Sequence, residues 1–265
     1  MERSVRAAWR FVLMFGVISL FADMTYEGAR GITGPFLKFL GAGAATVGIV
    51  VGLGELVGYV FRFASGYVSD RTGRYWLVAI IGYLVNLLAV PALALCGSWQ
   101  AAAALIVLER LGKATRAPAR DAMLSYAASR TGRGKAFAIH EALDQVGALL
   151  GPLVVTAVLA AGGTLKTSFA VLAFPAVAAL AVLATARITY PHPERLERRK
   201  GTSKGSIPRR FWLYIAGVAL LAAGYADYPL IAFHMKARFA LADKWIPLLY
   251  AGAMGVDAVS ALVFG

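Results

Sequence analysis

Asp23, Glu27 and Arg30 recur at i, i+4 and i+7 within the first long apolar run, so a helix would carry all three on one face with Tyr26 beside them. Ionisable groups in such a run are costly unless they pair or face water, and they mark a solute or proton pathway or a buried ion pair. Both readings stand for this triad: Glu27 and Arg30 brace a bent helix, and Asp23 is left to titrate. A second i, i+4 pair, His140 and Asp144, has the chemistry of a proton relay and equally that of a structural pair, while Glu141 points to another face. Glu55 and Arg62, two turns apart, are candidates for pairing across helices; His234 reads as interfacial. No tight ligand spacing supports a metal site, so no metal is expected. Neither a nucleophile–base constellation nor a Gly-x-x-x-x-Gly-Lys-Ser/Thr loop is visible, so the chain is not expected to be an enzyme, to carry a cofactor or to use ATP directly.

The elements that must position these groups are membrane helices. Of 265 residues, 59% are hydrophobic and only 15% charged, too little polarity to cover a water-soluble fold. Punctuation by Gly, Pro and charge divides the chain into about eight spans, near 9–40, 44–66, 76–96, 99–126, 136–161, 165–186, 211–233 and 243–265. The expected class is therefore all-α, a polytopic membrane helical bundle whose partner is the lipid bilayer. Gly28, Gly31, Gly34 and Pro35 predict a break in the outer half of the first helix. The net charge of +13 resides mainly in short connections, which speaks against nucleic acid as a partner. Lys and Arg concentrate before the first span and after the second, fourth and sixth, placing the N-terminus in the cytoplasm of a cell with an inner membrane. Cys96 stands alone and reads as packing.

One long polar stretch, 188–210, separates residues 1–187, with six spans, from 211–265, with two. Aligning Arg10-Phe11 with Arg210-Phe211 sets Asp227 opposite Glu27, and the following spans carry Glu55 and Asp257 as buried acids. This weak repeat fits transporters made of two related halves.

Within the expected cytoplasmic turn after the second span lies Gly66-Tyr67-Val68-Ser69-Asp70-Arg71-Thr72-Gly73-Arg74. It resembles the G-x-x-x-D-R-x-G-R signature of the major facilitator superfamily. The run from Glu109-Arg110 through Gly112-Lys113, Arg116 and Pro118 to Arg120-Asp121 is similar to the fourth helix of a bacterial branch of that family. Gly147-x-x-x-Gly151-Pro152 is similar to a fifth-helix motif associated with antiporters, without the two glycines that usually follow, and is equally a plain packing motif.

The resemblance implies alternating access between two six-helix halves. It gives Gly66, Asp70, Arg71, Gly73 and Arg74 a gating role, with Asp121 pairing with Arg74. It makes Asp23, Tyr26, Glu27, Arg30, Arg110, Arg116, His140 and Asp144 candidates for the substrate cavity or proton coupling. The function this implies is efflux of an organic compound or drug, with a small-molecule substrate, protons as coupling ion and no obligatory protein partner. The alternatives are a divalent metal cation exporter and a non-transporting membrane sensor or assembly protein. A family of twelve helices further implies that the 265-residue sequence is C-terminally truncated.

Overall fold

A computed structural model describes residues 2–197, 209–223 and 227–264 of the chain. Nearly all of them are helical: α1 (Glu2–Phe39), α2 (Ala44–Thr72), α3 (Tyr75–Ala92), α4 (Trp99–Thr131), α5 (Arg133–Ala160), α6 (Leu165–Val171), α7 (Ala173–Thr189), α8 (Arg209–Ala223), α9 (Tyr228–Arg238) and α10 (Trp245–Phe264). Chain reversals use local chemistry. Gly73, at φ +66°, closes α2 in the left-handed conformation and donates to the Ser69 carbonyl; Ser98 and Thr164 cap α4 and α6 by accepting the amides of Ala101 and Thr167.

Five stretches are long and apolar enough to cross a membrane: Ser4–Phe39, Ala44–Thr72, Tyr75–Leu95, Arg133–Ala160 and Leu165–Thr189. The protein is a multi-pass membrane protein, and exposed Leu53, Leu56, Val60, Phe61 and Phe63 on α2 supply apolar outer surface. By the same measure α4 is too polar, because Glu109, Arg110, Lys113, Arg116, Arg120 and Asp121 run along its middle.

Two expectations change. The first helix is continuous, because its glycines serve close approach instead of a break: a Cβ on Gly34 would meet the Pro229 carbonyl at 2.0 Å, and one on Gly28 the Gly151 backbone at 3.1 Å. The seventh span is divided into α8 and α9, with Pro229 near the start of the latter, where its missing N–H costs nothing. Of the polar connection, 198–208 lie outside the described residues. Its beginning is docked, since Arg130 donates to the carbonyls of Leu196 (2.6 Å) and Glu197 (3.1 Å).

Side chains sort into layers along the bundle. One apolar cluster contains Phe11, Phe15, Trp76, Tyr83, Leu87, Met123, Leu124 and Leu183. A second contains Ile32, Phe36, Leu37, Val90, Phe169 and Leu172. Between them, where α1 runs from Asp23 to Arg30 and α4 from Glu109 to Arg116, lies a layer of charge.

Candidate functional site

The charged layer is cross-linked through Arg30. Its Nη2 lies 2.8 Å from Asp227 Oδ1 and 3.0 Å from Glu55 Oε1, and its Nη1 is 3.7 Å from Glu27 Oε1. The expected Glu27–Arg30 pair is thus present but is the longest of the three. Glu55 turns to Arg30 and to Arg110 (3.2 Å), not to Arg62, whose guanidinium lies over Tyr59. Glu27 accepts a hydrogen bond from the Tyr250 hydroxyl and lies 3.9 Å from Lys113 Nζ. Lys113 in turn sits 3.8 Å above the Tyr26 ring, an arrangement that stabilises a desolvated ammonium. Glu109 is held by Asn86 (2.8 Å) and Arg110 (3.2 Å).

Next to this network is a cavity of about 400 Å³. Asp23, Tyr26, Glu27 and Arg30 of α1 form one wall, and Lys113, Arg116, Arg120 and Asp121 of α4 a second. Glu141, Asp144 and Gln145 of α5 face them, and Asp227, Tyr228, Tyr250 and Asp257 complete the lining. Exposure rises along the cavity: Asp23 is 7% exposed, whereas the Asp121 side chain is 50% exposed and Glu141 and Asp257 are at the surface. The mouth is therefore at the end bearing the α4–α5 turn. At the other end α1 and α9 shut the bundle, with Gly34 against Pro229 and Lys38 Nζ donating to the Lys236 carbonyl at 3.0 Å.

The sequence candidates divide among several places. Asp23, Tyr26, Glu27, Arg30, Arg116 and Asp144 converge on the cavity. Arg110 lies instead in an adjoining cavity of about 730 Å³ bounded by α1, α2, α4, α8 and α9, together with Glu55, and Arg62 lines both cavities. His140 is 3% exposed; its Nε2 is 2.9 Å from Ser19 Oγ and its Nδ1 3.6 Å from Asp144 Oδ2. A serine–histidine–aspartate row thus exists that spacing did not reveal. Ser19 has no exposed surface, and the His140–Asp144 gap is longer than a hydrogen bond.

Asp121 binds its neighbour Arg120 at 2.9 Å, so the expected pairing with Arg74 is not made. Asp257, expected to be buried, is exposed at the cavity mouth and accepts from Gln145 at 3.2 Å; Glu141 lines the same cavity after all. In the signature turn Asp70 is exposed and accepts from the Tyr75 hydroxyl (3.2 Å), Arg71 donates to Tyr67 (2.6 Å), and Gly66 faces Pro118. Gly147 and Gly151 with Pro152 are buried against α1, where added Cβ atoms would meet the Leu20 and Met24 carbonyls at 2.2 and 2.3 Å. Among the described residues no group of three or more His, Cys, Asp or Glu side chains is arranged to hold a metal ion.

The family model of the Major Facilitator Superfamily matches residues 12–265, and the chain belongs to that superfamily. It is 44% identical to an uncharacterized protein of Mycobacterium tuberculosis over 99% of its own length and 66% of the relative's. It is also 34% identical to an uncharacterized MFS-type transporter of Methanocaldococcus jannaschii, over 53% of this chain and 35% of that protein. Crystal structures of a peptide transporter POT share the fold. The complex with sulfate superposes with a TM-score of 0.58 at 17% identity, covering 87% of this chain and 47% of that one; the complex with alafosfalin gives 0.59 at 18%. The chain thus spans about two-thirds of the mycobacterial relative and under half of the peptide transporter.

Proposed function

We propose that this chain carries the solute pathway of a secondary transporter working by alternating access, coupled to protons and exporting a small organic compound. The observation that carries the reading is a cavity lined by charge from α1, α4 and α5, open at one end and shut at the other by α1 against α9. A pathway open to one side at a time is what alternating access requires. Membership of a transporter superfamily supports it. Residues 1–187 act as one six-helix half, 188–210 as the linker, and 211–265 as the start of the second half. Asp23 is the coupling group, because the pairs around it leave its Oδ1 buried without a hydrogen-bond partner. The test is flux in proteoliposomes under an imposed pH gradient. Asp23→Asn is expected to abolish proton-driven accumulation while solute exchange across the bilayer persists; accumulation equal to the parent's would remove Asp23 from the coupling step.

The N-terminus lies in the cytoplasm, and the cavity mouth faces the same side. In a Cys96→Ala background, cysteines at Gly134 and Gly97, both exposed and without neighbours within 4 Å, are expected to react with an impermeant maleimide from opposite sides, the former from the cytoplasm. Labelling of both from one side would reverse this assignment.

The exposed signature turn belongs to the conformational switch, where Asp70 holds one of two arrangements. Asp70→Asn should slow flux while solute affinity stays unchanged. A parallel loss of affinity would place Asp70 in the binding step.

A further inference from the structure

We infer, resting on the transport reading above, that the cavity takes a small zwitterion, its anionic end on α4 and its cationic end on α5. Arg116 is 1% exposed, lines the cavity and leaves Nε and Nη1 buried without an acceptor. Its nearest carboxylate oxygen, Asp23 Oδ1, is 4.0 Å from Nη2, outside hydrogen-bond range, and the guanidinium is instead braced over the Tyr83 ring at 4.5 Å. A buried guanidinium with free donors is costly, and a carboxylate can accept from one of its edges while neutralising its charge. Lys113, one turn away on α4, adds positive charge to the same wall.

The facing wall has the opposite deficit. Asp144 Oδ1 and Gln145 Oε1 are buried without a donor, and the Gln145 amide nitrogen is shared between Glu141 (3.3 Å) and Asp257 (3.2 Å). Two carboxylates therefore share one neutral amide at the mouth, and a third, Asp144, lines the same wall deeper in. An ammonium supplies the missing donors and offsets that charge. Neither deficit is met by a simple anion or a simple cation, each of which leaves the other wall unsatisfied. A volume of about 400 Å³ accommodates such a solute and is at the small end of ligand cavities, about 300–1,000 Å³.

The test is equilibrium binding to the purified full chain in detergent at neutral pH, using three radiolabelled probes of matched length: γ-aminobutyrate, butyrate and n-butylammonium. β-Alanine and 6-aminohexanoate vary the charge separation. The best ω-amino acid is expected to bind about tenfold or more tightly than butyrate and n-butylammonium. Asp144→Asn should shift the preference toward butyrate and Arg116→Gln toward n-butylammonium; should Arg116→Gln fail to fold, Lys113→Gln tests the same wall. Equal binding of the best zwitterion and either single-charge probe, an unchanged preference in Asp144→Asn, or no binding of any probe would overturn the assignment. Failure of the transport reading looks different: zwitterion binding without flux would leave the site and remove transport, and flux of other solutes without zwitterion preference would do the reverse.

Discussion

Gly151→Val is expected to prevent folding, with the variant lost to aggregation when extracted and run on a sizing column. Gly151 sits where α5 crosses α1, and an added Cβ would lie 2.3 Å from the Met24 carbonyl and 2.8 Å from the Gly28 amide. Overpacking a core of mobile side chains costs about 1–3 kcal/mol, because rotamers can move aside. Here the obstacles are main-chain atoms of another helix, so the helices must separate. Separation would strip contacts from the most extensively packed helix pair and part Ser19 from His140. Gly52→Val is the control: it lies on exposed α2 with nothing within 4 Å of its Cβ position, and should fold and run as the parent does. If Gly151→Val is monodisperse with an unchanged melting temperature, the α1–α5 approach is wrong.

The second large effect concerns Arg30, whose substitution by glutamine should destabilise the protein by about 3–5 kcal/mol, the range for removing one partner of a buried pair. Not all its carboxylates suffer equally. Glu55 keeps Arg110 at 3.2 Å, and Glu27 keeps Tyr250 and Lys113. Among the described residues Asp227 has Arg30 as its ion partner, through bonds of 2.8 and 3.2 Å. Most of the loss should therefore come from Asp227, and adding Asp227→Asn to Arg30→Gln should recover most of the melting temperature. A double variant no more stable than Arg30→Gln would show that Glu27 or Glu55 carries the cost instead.

Periodicity was enough to read Asp23, Tyr26, Glu27 and Arg30 as one helix face, since their spacing is a local property of α1. The partners were not legible. Asp227 meets Arg30 across 197 positions, and Tyr250 reaches Glu27 across 223, separations that depend on how α9 and α10 pack. Lys113 stood in plain view within the run after Glu109, but its place over Tyr26 follows from the α1–α4 crossing. Gly28, Gly31 and Gly34 misled in a different way. In water they would weaken a helix, but opening a helix against lipid strands backbone polar groups, so α1 stays whole and spends its glycines on proximity. His140 and Asp144 were read correctly as neighbours, and Ser19, with no charge to draw attention, completed the row unseen.

The distance in sequence between Arg30 and Asp227 also has a consequence for biosynthesis. At about 5–20 residues per second, a ribosome that has placed Arg30 needs roughly 10–40 s to deliver its strongest partner. Glu55, only 25 positions downstream, arrives within seconds and can hold Arg30 at 3.0 Å until α9 is made. Glu27, three positions upstream, and Glu55 are thus the acids available to Arg30 before Asp227 is made, and Glu55→Gln should lower the yield of newly made protein, measured as membrane-inserted protein per cell, more than the melting temperature of the finished one.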